Sequence, residues 1–457
     1  MQYKKVGARY WFSFITAGLV GQIAWAVENN FLNLYVFAAA KSTIYIPIMT
    51  ATSAIVSTFA TILVGVFSDR IGKRKIFISF GYIIWGITII LFAFLMPSNA
   101  NLTYFPIGLP MVANVGVISG TLIVIMDCIM SFFGSGASDA CFNAYVTEKT
   151  NEGVRGKVDT ILSTLSLVSI ILVSLIGGVL IQNSSHHPYW DIFFFVLGGV
   201  TIVAGIVCIF LLPSDSISPN KNQSYAQNLI HGFKPSVIKK NPILYIALFG
   251  FLVFSIAGQI FMPYLMVYAQ QTLGIINEQF TISIGIIIFC SCVLAAIIGQ
   301  FVDRIGKNRV LIPAVGIAVV GGIIMFCVTS QVGAILGGIV IMCGNLLGIA
   351  IFGAKVRDYT PHNEAGLLQG VRMIFVVMFP MVTGPYIGQG VSYIQGKFIQ
   401  NEFGDWVILP NKYIFLFASI FFALSIPIII YMIKKEKELS NTKAIVELNV
   451  NKKINKK

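Results

Sequence analysis

Long apolar runs separated by short polar segments fill most of this sequence. A helix that crosses a bilayer needs about 20 mostly apolar residues, and twelve such runs can be placed, six in each half of the chain. They lie near residues 10–36, 44–67, 76–96, 111–146, 158–181, 192–212, 243–270, 280–302, 310–329, 333–355, 369–390 and 411–433. Continuous apolar runs are unlike the alternating pattern of a membrane β-barrel. The pattern therefore predicts an all-α membrane protein with twelve transmembrane helices.

The positions of Lys and Arg predict the orientation of these helices. If the N-terminus is inside, all of the 31 basic residues except Lys41, Lys397 and Lys412 fall in cytoplasmic segments. Short cytoplasmic segments carry an excess of Lys and Arg. Both termini are therefore expected in the cytoplasm of a multi-pass protein of the plasma membrane. The basic residues are spread over seven segments, which argues against a nucleic acid partner.

The composition fits a bilayer protein and gives no sign of catalysis. Hydrophobic residues make up 56% of the chain and charged residues 11%. The four His lie outside the apolar runs and the seven Cys inside them, with no spacing typical of a metal site or a nucleophile–base pair. Neither an enzyme, nor a metal, nor another cofactor is expected.

One charged motif occurs twice, between the second and third helices of each half. Residues 65–75 and 299–309 both read G-x-F-x-D-R-I-G-K-x-[RK]. A second pair, which begins at Val146 and at Val356, reads V-x-[DE]-x-T-x5-G. The repeats predict two pseudo-symmetric six-helix bundles. We assign residues 1–212 to the first bundle, 213–242 to a cytoplasmic linker, 243–433 to the second bundle and 434–457 to a basic cytoplasmic tail.

Two copies of a charged motif on one side of the membrane suggest an inner gate. Glycines in the motif allow a tight turn, Asp69 and Asp303 can sit at helix N-termini of the opposite half, and the basic residues can meet Glu148 and Asp358. We expect Arg70 and Arg74 to meet Glu148, and Arg304 to meet Asp358. The predicted gate residues are Gly65, Asp69, Arg70, Gly72, Arg74, Glu148, Arg155, Gly299, Asp303, Arg304, Gly306 and Asp358.

The doubled motif, the twelve spans and Arg155-Gly156 after the fourth helix resemble the major facilitator superfamily. Within it, residues 138–147, Glu28-Asn29-Asn30 and residues 369–372 resemble the glycoside–pentoside–hexuronide:cation symporters and sucrose-carrier-like relatives. The resemblance implies a secondary transporter with the major facilitator fold. It also places on Asp139 the sugar-binding carboxylate that melibiose-type permeases have on this helix.

Ionisable residues inside a membrane are functional candidates. Asp139 lies nine residues before Glu148, hence about 13 Å deep, on one helix face with Ser135 and Asn143. On the first helix, amides and Trp25 share a face that suits a sugar ring. The predicted substrate-binding residues are Gln22, Trp25, Asn29, Asn33, Ser135, Asp139, Asn143, Gln259, Tyr264 and Asn345.

The coupling ion is predicted from where the acids lie. The cation site of the melibiose-type pattern uses acids on the second helix, and residues 44–68 contain none. Proton coupling through Asp139, Glu28 or Asp127 is therefore favoured over Na⁺, with facilitated diffusion left open. Glu28 has the alternative of an interfacial acid that reaches water, and Asp127 that of a hydrogen bond to a neighbouring helix.

The resulting hypothesis is a secondary transporter, expected as a monomer in the lipid bilayer. It would move a sugar or glycoside by alternating access, as a proton symporter. The alternative is a major facilitator exporter of drugs or another small metabolite, which the 36 Phe residues keep open.

Overall fold

The computed structural model describes residues 8–98, 103–104, 115–150, 152–182, 189–213, 232–275, 277–361, 365–401 and 403–454. This part of the chain is almost entirely helical. The exceptions in regular structure are two antiparallel hairpins, β1 (Pro97–Ser98) with β2 (Thr103–Tyr104) and β3 (Phe398–Gln400) with β4 (Trp406–Ile408).

Helices occupy each of the twelve predicted positions. In the first half they are α1 (Ala8–Ala26, continued by Val27–Leu32 and Asn33–Ala40), α2 (Tyr45–Ile71), α3 (Arg74–Phe92), α4 (Val115–Gly134, Ser135–Phe142 and Asn143–Lys149), α5 (Glu152–Gln182) and α6 (Trp190–Leu211). In the second half they are α7 (Pro242–Phe261, Met262–Tyr264, Leu265–Val267 and Tyr268–Thr272), α8 (Asn277–Ile305), α9 (Lys307–Cys327), α10 (Gln331–Tyr359), α11 (Ala365–Met373, Ile374–Met378 and Phe379–Ser392) and α12 (Tyr413–Ile454). A short helix, Pro235–Lys240, precedes α7.

The all-α prediction is confirmed. Eleven of the described helices contain an apolar stretch that is long enough to cross a membrane. In α5 the described apolar stretch, Thr164–Gly178, is shorter. The end of the chain differs from expectation, because α12 continues as a helix to Ile454 instead of ending near residue 433. Residues 214–231, which contain most of the predicted linker, lie outside the described residues. The division of the chain into two bundles, a linker and a tail stays a prediction.

Four of the described helices contain a π-helical turn. These turns lie at Val27–Leu32 in α1, Ser135–Phe142 in α4, Tyr268–Thr272 in α7 and Ile374–Met378 in α11. A π turn holds one residue more than an α turn, so it rotates the following side chains away from the direction that ideal helix geometry predicts. Such turns are frequent at functional sites. Glu28 and Asp139 each lie within one.

Small residues bring neighbouring helices into close contact. A Cβ atom on Gly86 of α3 would lie 2.7 Å from the carbonyl oxygen of Gly198 in α6. In the second half, a Cβ atom on Gly344 of α10 would collide with the backbone of Ala318 in α9. Helices in lipid depend on this kind of close packing, because apolar contact with a neighbouring helix gains little over apolar contact with lipid tails.

The two halves contact each other through α5 with α8 and through α2 with α11. They also meet at one end of the molecule, which we call the outer end after the orientation predicted from Lys and Arg. There the hydroxyl of Thr43 donates to the carbonyl oxygen of Ile408 (2.9 Å) and accepts from Nε2 of Gln389 (3.1 Å). Asn401 donates to the carbonyl oxygen of Lys41 (3.2 Å). These bonds hold the outer ends of the two halves together.

Candidate functional site

The first copy of the charged motif forms a buried ion cluster at the opposite, inner end. One guanidinium nitrogen of Arg74 lies 2.6 Å from Asp69, and the other lies 2.6 Å from Glu148. The side chain of Arg74 is 8% exposed, whereas the two carboxylates are about a third exposed. The predicted contact between Arg74 and Glu148 is confirmed. Because Arg74 begins α3 and Glu148 ends α4, this cluster joins the inner ends of α2, α3 and α4.

The second copy is built differently, and one predicted contact is wrong. Asp358 pairs with Nζ of Lys307 at 2.6 Å, not with Arg304, whose side chain is exposed. Gly306 has a φ of 99°, and the chain turns there so that Lys307 opens α9. Arg304 instead ends α8 on an exposed face.

The central glycine of each motif copy has a positive φ. Gly72 has a φ of 70°, so both central glycines take the turn conformation expected for them. Gly65 packs near Ala140 of α4, whereas the position of a Cβ on Gly299 is open space among the described residues. Arg70 is exposed. The side chains of Arg155 and Asp303 lie outside the described residues.

The second half has its own buried cation, and the sequence motif did not predict its position. Asn308 stands in the second motif where Arg74 stands in the first. The buried charge is Lys355 of α10, 3% exposed, which donates to Asn308 and to Glu436 of α12 (3.3 Å). Asn308 also donates to Glu436 at 2.9 Å, and the Lys355 ammonium lies 5.0 Å from the centre of the Tyr359 ring. This Lys355 cluster ties the inner ends of α9, α10 and α12 together.

We expect the Lys355 cluster to respond unequally to loss of either charge. Glu436→Gln leaves a buried ammonium without its counter-charge and should lower the free energy of unfolding by about 1–3 kcal/mol. Lys355→Met leaves only Glu436, which is one-third exposed and can reach water, so it should cost less. The double variant should recover much of the loss from Glu436→Gln. Thermal unfolding in detergent measures this, with Glu438→Gln on the same helix as control. Equal destabilisation by Glu436→Gln and Glu438→Gln would contradict the assignment.

Asp139 lies at the centre of a polar group that spans the two halves. Its carboxyl group is half-buried in the π turn of α4, on the same helix face as the hydroxyl of Ser135, which acts on it electrostatically. Ser135 bonds in turn to the hydroxyl of Ser57 on α2 at 2.5 Å. Asn143 donates to the backbone carbonyl of Asp139 at 3.2 Å, so its amide is partly used within α4. Ser135 and Asp139 thus lie together, as their spacing predicted.

Arg372 of α11 acts on Asp139 from the other half of the molecule. Arg372 is half-buried and lies in the first segment of α11, Ala365–Met373. The helix continues beyond it to Ser392. An acid and a base on helices of opposite halves can together bind a polar ligand. The strength of their electrostatic interaction also depends on the distance between the halves.

Glu28 and Asp127 form a second polar group towards the outer end. Glu28 is 6% exposed and accepts a bond from Ser131 of α4 at 2.9 Å. Asp127 is 1% exposed, lies near Ser53 of α2 and acts electrostatically on Glu28. The burial of Glu28 contradicts the interfacial alternative, whereas a hydrogen bond from Asp127 to a neighbouring helix stays a prediction. The carboxyl oxygens Glu28 Oε2 and Asp127 Oδ1 have no protein partner among the described residues.

The predicted amide face on α1 is only partly formed. Gln22 and Trp25 are half-buried, and the Trp25 ring packs edge-on against Trp85 at 5.1 Å. Asn29 is exposed and donates to the carbonyl oxygen of Trp25, whereas Asn33 is buried and donates to that of Asn29. The π turn at Val27–Leu32 separates Gln22 from Asn33, so ideal helical spacing does not hold between them. The buried atoms Trp25 Nε1 and Asn33 Oδ1 have no partner among the described residues, and such atoms usually bond to water or a ligand.

In the second half, Asn345 has a side-chain oxygen without a partner among the described residues, whereas the hydroxyl of Tyr264 is hydrogen-bonded. Gln259 is half-buried on α7 where Gly384 of α11 packs against it. Asn345 of α10 is 4% exposed beside Gly258, and its Oδ1 has no partner among the described residues. Tyr264 is fully buried and donates to the carbonyl oxygen of Pro385 at 2.7 Å. Tyr264 thus joins α7 to α11, and its role in substrate binding stays a prediction.

A family model described as the Major Facilitator Superfamily matches residues 10–385. The match covers most of the chain and both copies of the charged motif. The chain belongs to the major facilitator superfamily. It is thus a multi-pass membrane transporter, and membership indicates a transporter rather than an enzyme.

Solved transporters share this fold at low sequence identity. A mutant form of the nucleoside transporter NupG has 13% identity and a TM-score of 0.66, over 92% of this chain and 99% of that one. The xylose transporter XylE from E. coli has 13% identity and a TM-score of 0.64, over 93% and 97%. A bacterial homologue of the human lysosomal transporter Spinster has 12% identity and a TM-score of 0.65, over 94% and 98%. No curated protein matches the chain in sequence.

Proposed function

We propose that this major facilitator transporter moves a sugar or glycoside across the plasma membrane by proton-coupled symport, with both termini in the cytoplasm. The observation that carries the proposal is the half-buried carboxyl group of Asp139 in the π turn of α4, next to the Ser57–Ser135 hydroxyl pair, with the half-buried Arg372 of α11 acting on it electrostatically. A carboxylate and a guanidinium accept and donate several hydrogen bonds, which suits the hydroxyl groups of a sugar. The glycoside–pentoside–hexuronide resemblance of residues 138–147 supports the same cargo.

Other polar groups and the solved relatives support this cargo. Gln22, Gln259 and Asn345 supply amides from three further helices, and Trp25 offers an aromatic surface for the apolar face of a sugar ring. The similar solved structures include a xylose transporter and a D-xylose–proton symporter. The cation of this symport is a proton rather than Na⁺, because α2 carries no acid before Asp69.

The proposed mechanism is alternating access, in which two bundles pivot about the central site. The outer end is held by Thr43, Gln389 and Ile408. The Arg74 and Lys307 pairs each lie within one half, so they hold the inner helix ends of that half together while the bundles pivot. Cargo bound between Asp139 and Arg372 therefore meets one side of the membrane at a time.

Transport assays in proteoliposomes test the proposal directly. Purified protein would be offered labelled monosaccharides and disaccharides, with an imposed proton gradient, an imposed Na⁺ gradient or neither. We expect accumulation of at least one sugar that follows the proton gradient. Accumulation driven only by Na⁺ would contradict the proposed coupling. Efflux of drugs with no sugar transport would favour the exporter.

Fixing the outer end shut should stop transport. Thr43→Cys with Gln389→Cys, in a background without the seven native Cys, places two thiols where a hydrogen bond now joins the side chains. We expect oxidation to abolish uptake and reduction to restore it, because cargo from outside cannot reach Asp139 past a closed outer end. Each single Cys variant serves as control. Full uptake in the cross-linked protein would exclude alternating access through this end.

A further inference from the structure

The acidic pair Glu28–Asp127 has hydrogen-bonding capacity that the described residues do not fill. Ser131 donates to one oxygen of Glu28, and Ser53 lies near Asp127. One oxygen on each carboxyl group remains without a partner among the described residues, on side chains that are 6% and 1% exposed. Buried polar atoms without partners are rare and indicate a bound water, ion or proton that the protein chain does not itself supply.

The charges around the pair do not balance it. The groups that act on Glu28 are Asp127 and, more weakly, Asp139, and both are acidic. Cys128 of α4 lies beside the pair. Ser53 of α2 and Ser131 of α4 contribute only hydroxyl groups. Asp139 differs, because Arg372 acts on it. Two carboxylates cannot both stay charged in a dry site without a cation.

We propose that Glu28 and Asp127 together hold one proton, and that this pair, rather than Asp139, carries the coupling ion of the transport cycle. The inference rests on the proposed proton symport. It assigns separate tasks to the two polar groups: Asp139 and Arg372 bind cargo, and Glu28 and Asp127 bind the proton.

A proton fits the pair better than a sodium ion does. A hard cation needs a shell of several oxygen ligands. The partnerless carboxyl oxygens of the pair are one on Glu28 and one on Asp127, which is too few for such a shell among the described residues. One proton held by the pair would leave a single negative charge. The proton comes from water at the outer side and returns to water at the inner side, so no other reactant is needed.

Infrared spectroscopy of the full-length protein can detect this proton in the absence of a transported substrate. At neutral pH the wild type should show the C=O stretching band of a protonated carboxyl group. Glu28→Gln and Asp127→Asn should each remove that band, whereas Asp405→Asn, an exposed acid in the β3–β4 hairpin, should leave it unchanged. Ser131→Ala removes a hydrogen bond but no charge, so it should shift the band and serves where an acid variant fails to fold. A band that survives both acid substitutions, or that disappears when Na⁺ is added, would overturn the proposal.

Transport by the same variants separates this proposal from the proposed function. Glu28→Gln and Asp127→Asn should lose accumulation driven by a proton gradient but keep the exchange of labelled for unlabelled sugar, which moves no net proton. Loss of exchange together with accumulation would place the pair in the cargo site and overturn the division of tasks. If the wild type carries no sugar, the proposed cargo fails, while the infrared result still decides whether the pair holds a proton.

Discussion

Asp139→Asn should reduce sugar uptake by about 10- to 100-fold, the equivalent of one lost hydrogen bond to a charged group. The substitution keeps the size of the side chain next to Ser135, but it removes the charge on which Arg372 acts. The hydroxyl groups of the sugar then lose a charged hydrogen-bond acceptor. Uptake kinetics in proteoliposomes measure the effect, which we expect mainly as weaker apparent affinity.

Two further variants make this prediction specific. Arg372→Gln should cause a loss of similar size, because it removes the opposite member of the pair. The double variant should lose no more than either single variant, since both act on one interaction. Asp405→Asn, an exposed acid far along the chain, is the control. Uptake by Asp139→Asn at the wild-type level would remove this carboxylate from the cargo site.

Arg74→Gln should slow transport about tenfold and lower the free energy of unfolding by about 2 kcal/mol. The guanidinium is 8% exposed and bonds to Asp69 and Glu148 at once, so its loss removes the cation that joins the two acids. The stability loss falls at the lower end for a buried pair because both carboxylates reach water. Arg74→Lys should recover only part of the function, since an ammonium is a point charge that cannot present two nitrogens in a fork.

Lys73 provides the matched control for Arg74. It is the preceding residue in the same turn, carries the same charge and is exposed. Lys73→Gln should therefore change neither the rate of sugar exchange nor the midpoint of thermal unfolding. If both substitutions slow transport equally, the general positive charge of this loop matters and the buried cluster does not.

The sequence predicted the helices well because bilayer crossing depends on length and hydropathy, which are local properties. It also identified Glu28, Asp127 and Asp139, since acids in apolar runs are conspicuous. It did not predict the partners of these acids. Ser131 bonds to Glu28 across 103 residues of chain, and helical spacing cannot reveal such a contact. The π turns in α1 and α4 further change which side chains share a face.

The repeat was informative about the first half and misleading about the second. Matching the two motifs suggested that Arg304 would take the role of its counterpart, but the pair with Asp358 uses Lys307. The buried cation of the second half is Lys355, which lies outside the motif, and its acid lies 81 residues away in the segment predicted as a tail. A duplicated motif therefore predicts that a charged cluster exists, but not which residues form it.

Glu436 lies in the last helical segment of the chain and stabilises the inner ends of α9 and α10 through Asn308 and Lys355. A protein shortened after residue 433 would retain every apolar segment and would still be expected to insert in the bilayer. It would lack the acid that neutralises Lys355, so the inner ends of α9 and α10 would lose their link to α12. Fusion tags and truncations for expression are best placed beyond this residue, and a correctly inserted but inactive product is the expected sign that one was placed too early.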